Sequence, residues 1–181
     1  MRNVEVVAIS GNQYHQIKFF SRCLGRHDRR SGNPTAIGRE EFATLRQAAI
    51  RETVEELQIS EDTIEILGEI DYIVHPDRII HCLVGKLHIQ DWTTIVPNEE
   101  VERLFTVPLS QLLENGPTYY CLDTVIEKDS NFPFERIQNG VDYKFSHYQR
   151  NIPFYECLPE NIWGMTAQFT HRFTESLKEG N

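Results

Sequence analysis

Several things are scarce in this sequence, and each shortage closes off a class of protein. No run approaches the ~20 apolar residues that cross a bilayer, and the opening Met1-Arg2-Asn3-Val4-Glu5 has no apolar stretch of the secretory kind. A cytoplasmic address with no membrane partner is therefore expected. Cysteine is sparse: Cys23, Cys82, Cys121 and Cys157 stand far apart with no Cys-x-x-Cys, which disfavours a zinc cage or a disulfide framework and suggests reduced, partly buried thiols. Basic charge is short as well. With 18 Lys and Arg against 27 Asp and Glu, the formal net charge of −9 has the wrong sign for wrapping bulk nucleic acid. There is no Gly-x-Ser-x-Gly elbow, no phosphate-loop lysine motif and no paired metal-ligand spacing among the histidines. Ser/His hydrolases and kinases drop out on that ground.

What is present suits one folded unit. The chain has 181 residues, 40% hydrophobic and 25% charged, so residues 1–181 are expected to form a single domain with a real core. Val4 to Ile9 and Gln16 to Cys23 read as strands of a hairpin around Ser10-Gly11-Asn12, and Gly25 to Gly38 has the polar, Gly- and Pro-containing chemistry of a loop. From about 40 to 58, Phe42, Leu45, Ala49, Ile50, Val54 and Leu57 recur at three- and four-residue steps, which predicts an amphipathic helix. Thr63–Leu67, Ile70–Val74 and Ile79–Ile89 read as strands separated by Gly68 and by the turn His75-Pro76-Asp77. Val101–Val107 continues the β pattern, and Pro108 opens a short helix. Between 115 and 160 the alternation Tyr143 to Tyr148 suggests one or two edge strands. Ile162, Met165, Phe169, Phe173 and Leu177 predict a closing helix over about 162–177.

The segment richest in chemistry is Arg51-Glu52-Thr53-Val54-Glu55-Glu56-Leu57-Gln58-Ile59. Glu52, Glu55 and Glu56 stand at i, i+3 and i+4, so their carboxylates are expected to share one helical face, opposite much of the apolar stripe. Like charges so placed repel by roughly 0.2–0.5 kcal/mol per pair. A hard divalent cation with a taste for oxygen ligands, Mg²⁺ or Mn²⁺, would turn that repulsion into a binding site. The plainer reading of the same glutamates is a solvated acidic face beside Arg46 and Arg51.

These residues resemble the second half of the Nudix box, G-x5-E-x7-R-E-U-x-E-E-x-G-U with U aliphatic, matching it at Arg51, Glu52, Glu55, Glu56 and Ile59. The lead-in Ala48-Ala49-Ile50 is also typical of that box. Pro97-Asn98-Glu99-Glu100-Val101 to Leu113 looks like a stretch of the coenzyme A pyrophosphatase branch, and Ile162-Trp163-Gly164-Met165-Thr166-Ala167 is similar to the opening of that branch's last helix. The departures are specific. The leading Gly falls near Ile37, beside Gly38, and the first Glu falls at Ala43, with Glu40 and Glu41 nearby. Gln58 replaces the Gly after the paired glutamates, a position that often takes the left-handed conformation. Asn33-Pro34-Thr35-Ala36 stands where the branch has Phe-Pro-Gly-Gly.

The resemblance implies an α/β fold, specifically an α/β/α sandwich around a mixed central sheet, and a metal-dependent diphosphatase activity. On that reading Glu52, Glu55 and Glu56 hold Mg²⁺ or Mn²⁺, Arg51 braces the glutamates, and Glu100 is the candidate base. Arg26, Arg29 and Arg30 are candidate substrate-binding residues because guanidinium groups pair with phosphate in bidentate fashion. The implied partner is a small-molecule nucleoside diphosphate derivative, with coenzyme A or an acyl derivative leading. ADP-ribose, dinucleotide polyphosphates, nucleotide sugars and capped RNA are the other substrates in view, and a homodimer is one admissible assembly. The rival reading is a Nudix-fold ligand-binding or assembly module without catalysis.

Overall fold

The structure is a computed structural model that describes residues 7–10, 16–24, 39–75, 78–101, 103–123, 125–145 and 149–180; in 7–10, 16–24, 39, 41, 75 and 78 the backbone alone is described. Strands Val7–Ser10 (β1) and Gln16–Leu24 (β2) precede helix Arg39–Leu57 (α1), then come Ile64–His75 (β3) and Arg78–Leu87 (β4). A short strand Phe105–Pro108 (β5) leads into helix Leu109–Glu114 (α2). Thr118–Asp123 (β6), Gln149–Phe154 (β7) and helix Gly164–Glu179 (α3) complete the order.

One sheet has the order β3-β4-β2-β1-β5, antiparallel throughout except for the parallel β1–β5 pair. It is thus the mixed sheet expected. Along β4 the side chains alternate between two cores, as a strand covered on both faces requires. Leu83 and Leu87 pack with Ala49 and Leu57 of α1, whereas Val84 packs with Ala167 and Phe173 of α3, and Ile80 and Cys82 with Phe169. Helix, sheet and helix therefore stack as three layers, and the α/β expectation holds.

Several boundaries differ from the sequence reading. The expected break at Gly68 is absent: β3 runs unbroken through twelve residues, and two bulges, between Ile66 and Gly68 and between Glu69 and Asp71, absorb the interruption. The strand expected over 101–107 shrinks to Phe105–Pro108, because residues 99–100 form a turn. Residues 143–145 lie outside any strand; the second strand of this region is β7, which pairs with β6 and makes one further bridge from Phe154 to Trp163. The aromatic side chains here, Phe132, Phe134, Tyr143 and Phe145, meet one another edge to face at centroid distances of 4.8–6.3 Å, so they serve packing. On α3 the buried residues are Ala167, Phe169, Thr170, Phe173 and Thr174, while Met165 is exposed and Ile162 is buried ahead of the helix.

The cysteines divide by environment. Cys82 is fully buried on the α3 side of β4, and burial, reinforced by the nearby Asp71 and Glu69, pushes its thiol far above the ordinary range; Cys121 and Cys157 are free and exposed. The thiolate is the reactive form, so alkylation at mildly alkaline pH should label Cys121 and Cys157 within minutes and reach Cys82 only after denaturation. Mass spectrometry of digests would read this, and fast native labelling of Cys82 would contradict the packing described.

Candidate functional site

Helix α1 brings the carboxylate segment to the sheet. Leu45, Ala48, Ala49, Thr53 and Leu57 are buried, and the Thr53 hydroxyl donates to the Ala49 carbonyl at 2.7 Å, so a polar residue is accommodated within the apolar face. Glu56 lies in this same stripe, with only 9% of its surface exposed, and Glu52 is half-buried. This corrects the expectation that the three carboxylates stand opposite the apolar stripe. At about 100° per residue, Glu56 falls between Leu45 and Ala49 around the helix. The expected apolar face was drawn partly through Phe42, Ile50 and Val54, which are only half-buried.

Glu55 remains on the exposed side. Its Oε1 lies 3.8 Å from Arg51 Nε, with both side chains 63% exposed. Such a pair adds only about 0.3–0.5 kcal/mol to stability. Arg51 is thus placed beside one of the glutamates, as the resemblance implies. Among the described residues, no three His, Cys, Asp or Glu side chains converge closely enough to hold a metal ion as they stand. Ala43 and Glu40 are exposed near the start of α1.

The end of α1 organises a second segment. Gln58 donates its N–H to the Val54 carbonyl at 2.9 Å and then turns left-handed, with φ of 52°. That is the conformation expected where the box has glycine. Just beyond the helix end, the Asn98 N–H donates to the Glu56 carbonyl at 2.8 Å. The Asn98 side-chain oxygen accepts from the Glu100 N–H at 3.0 Å, and the Val101 N–H donates to the Asn98 carbonyl at 3.2 Å. Val101 is buried in the same core as Leu57. The turn carrying Glu99 and Glu100 is therefore fastened to the helix turn that carries Glu55 and Glu56, across more than forty residues of sequence. Asn98 was visible in the sequence only as part of a resembling stretch. Its anchoring role follows from an Asx-type bond and a helix-end carbonyl, which no spacing rule specifies.

Arg26, Arg29 and Arg30 lie outside the described residues, as do Ile37, Gly38 and the Asn33–Ala36 stretch. No helix among the described residues is long and apolar enough to cross a membrane.

The chain is 23% identical over 165 residues to the human mitochondrial coenzyme A diphosphatase NUDT8, covering 88% of this chain and 61% of the relative. It is 26% identical over 168 residues to the mouse protein of the same name, covering 88% of this chain and 68% of the relative. The chain thus spans less than two thirds of the human relative's length. No protein-family model matches the chain. No solved structure matches it either. The relationship to these diphosphatases is distant, and it agrees in direction with the Nudix resemblance of residues 51–59. Both relatives are called mitochondrial, unlike the cytoplasmic address expected from the lack of long apolar stretches.

The left-handed residue gives a direct test. A side chain at φ of 52° costs about 1 kcal/mol relative to glycine. Gln58→Gly should accordingly raise stability by about 1 kcal/mol in chemical denaturation. An unchanged or lowered midpoint would mean that the helix does not end as described.

Proposed function

We propose that this chain is a Nudix-type pyrophosphohydrolase that cleaves a nucleoside diphosphate linked to a second group, with coenzyme A or an acyl derivative as the leading substrate. The observation that carries the reading is the fastening of the Glu100 turn to the Glu56 carbonyl, which brings the backbones of two distant acidic segments together at one helix end. The distant similarity to two coenzyme A diphosphatases over 88% of the chain supports the same reading. ADP-ribose, dinucleotide polyphosphates, nucleotide sugars and capped RNA are the alternative substrates.

The donor set suits Mg²⁺ or Mn²⁺ in chemistry, since it is all carboxylate oxygen. Side-chain rotation is required, because the carboxylates do not converge as they stand. Glu52, Glu55 and Glu56 would be the ligands. Such a cation supplies charge neutralisation on the diphosphate and a more acidic water. Arg51 holds Glu55 by its ion pair. Glu100, its backbone fixed by Asn98, takes a proton from the attacking water at a carboxylate oxygen. The water oxygen bonds to one phosphorus, the bridging oxygen leaves with the other phosphate, and the product is a pair of monophosphates. Arg26, Arg29 and Arg30 are proposed to contact substrate phosphates. A single domain spanning residues 1–181 and a cytoplasmic address belong to the same proposal.

A second reading, a ligand-binding module of the same fold without catalysis, is favoured by Ala43 at the place of the box's first Glu and by the separated carboxylates. A panel of diphosphate-linked substrates assayed with Mg²⁺ and Mn²⁺ separates the two. Metal-dependent cleavage is expected, falling at least ~100-fold in Glu55→Gln and Glu56→Gln, as when stabilisation of transition-state charge is removed. Tight binding without turnover would select the module, and equal turnover in all three proteins would reject the assignment of these glutamates.

A further inference from the structure

β3 and β4 carry a polar arrangement on the α1 side of the sheet that the reaction above does not use. Their register passes from Glu69↔Leu83 to Asp71↔Cys82, so Ile70 is the extra residue of a bulge. Because Leu83 faces α1 and Cys82 faces α3, the bulge keeps Glu69 on the α1 side and sends Asp71 to the other, where its Oδ2 lies 3.5 Å from Arg172 Nε on α3. Ile70 fills the α3-side core. Tyr72 then stands directly opposite His81, with ring centroids 6.1 Å apart. An evenly paired strand would place Glu69 and Asp71 on one face, so the bulge re-aims a single carboxylate.

The carboxylate left on the α1 side, that of Glu69, meets a histidine. Glu69 Oε1 lies 2.6 Å from His81 Nδ1, and His81 is only 5% exposed. A carboxylate oxygen accepts, so Nδ1 is the donor of this bond, and in the neutral imidazole Nε2 then presents a lone pair. Among the described residues no group hydrogen-bonds Nε2. Beside it Tyr72 leaves 37% of its surface exposed. A ring nitrogen of fixed orientation next to an open aromatic ring suits a planar group that carries an N–H donor. It suits a phosphate poorly, because the anionic Glu69 stands directly behind the imidazole.

We propose that Glu69, His81 and Tyr72 form a base-recognition site, in which a purine-type ring lies against Tyr72 and its exocyclic amine donates to His81 Nε2. This rests on the nucleotide reading above and deepens it, because it specifies an amino-bearing base. A carbonyl in place of the amine would set acceptor against acceptor, which a buried polar site rejects. Glu69 acts through His81 as a positioning residue by holding the tautomer.

The test uses the full chain with ¹⁵N-labelled histidine and chelator in place of divalent ions, so that binding is read without turnover. Long-range ¹H–¹⁵N spectra should show the Nδ1–H tautomer for His81, and titration with AMP should move the His81 Nε2 resonance. AMP should bind at least ~10-fold more tightly than IMP, the scale of one buried hydrogen bond. Tyr72→Leu, at a partly exposed position, should weaken AMP binding, and Glu69→Gln should erase the preference over IMP. Equal affinity for AMP and IMP, or a His81 signal that ignores both, overturns the site. Absence of diphosphatase activity with AMP preference intact would leave this site standing and remove the hydrolase reading. Turnover with an unresponsive His81 would do the reverse.

Discussion

The carbonyl of Glu56 is the point on which the candidate site depends. A helix end leaves its last carbonyls without partners inside the helix, and each must be satisfied from elsewhere. Here the Gln58 N–H closes on Val54, and the Asn98 N–H takes the Glu56 carbonyl. That single bond brings a turn from after β4 to the carboxylate end of α1, and burial of Val101 beside Leu57 seals it. The geometry of the glutamates is therefore tied to where the helix stops. It stops at Gln58 because the backbone turns left-handed there, a conformation that glycine would accept more readily. A modest local strain accompanies the placement of chemically useful groups.

β4 has the corresponding role within the sheet. Every second residue enters the α1-side core and the others the α3-side core, so its neighbours must keep strict register to bury anything. The bulges in β3 are tolerated because β3 is an edge strand, paired on one side only within this sheet. Edge position thus allows an irregularity that the central strands could not carry, and the irregularity turns Asp71 toward α3 while Glu69 stays on the face of His81. The sheet's stability and its polar irregularity sit on adjacent strands without conflict.

Much of this architecture was legible in the residues, for physical reasons that also mark where reading fails. α1 and α3 emerge clearly because their apolar residues repeat over four or more turns, and the expected spans of about 40–58 and 162–177 fall close to Arg39–Leu57 and Gly164–Glu179. The left-handed turn at Gln58 was readable from the place glycine occupies in the box pattern. The face of α1 that carries Glu56 was not, since half-buried Phe42, Ile50 and Val54 are as apolar as buried Leu45 and carry the same weight in a periodicity. The bulges left no trace because Gly68 looks like a break whether the strand ends or bends. β6 and β7 were hard to locate because they form a two-stranded sheet of their own and β6 buries nothing, so no alternation marks it. The bond from Asn98 to Glu56 joins two segments whose proximity depends on the intervening β3–β4 pair, and no local pattern encodes it.

The burial of Glu56 sharpens the choice between an acidic surface and a working site. An acidic helix face kept for solubility would place its carboxylates in water, where each costs little and like-charge repulsion is screened. Glu55, 63% exposed, meets that description; Glu56, 9% exposed, does not. Taking a carboxylate out of water is expensive unless a partner compensates, and an apolar side chain of similar size in that stripe would be neutral or better for folding. Leu45, Ala49 and Leu57 show that the stripe is otherwise packed in the ordinary way. Glu56 thus belongs to the packed face of α1 and not to its solvated one, and its carboxylate is held by the fold where that of Glu55 is held by water.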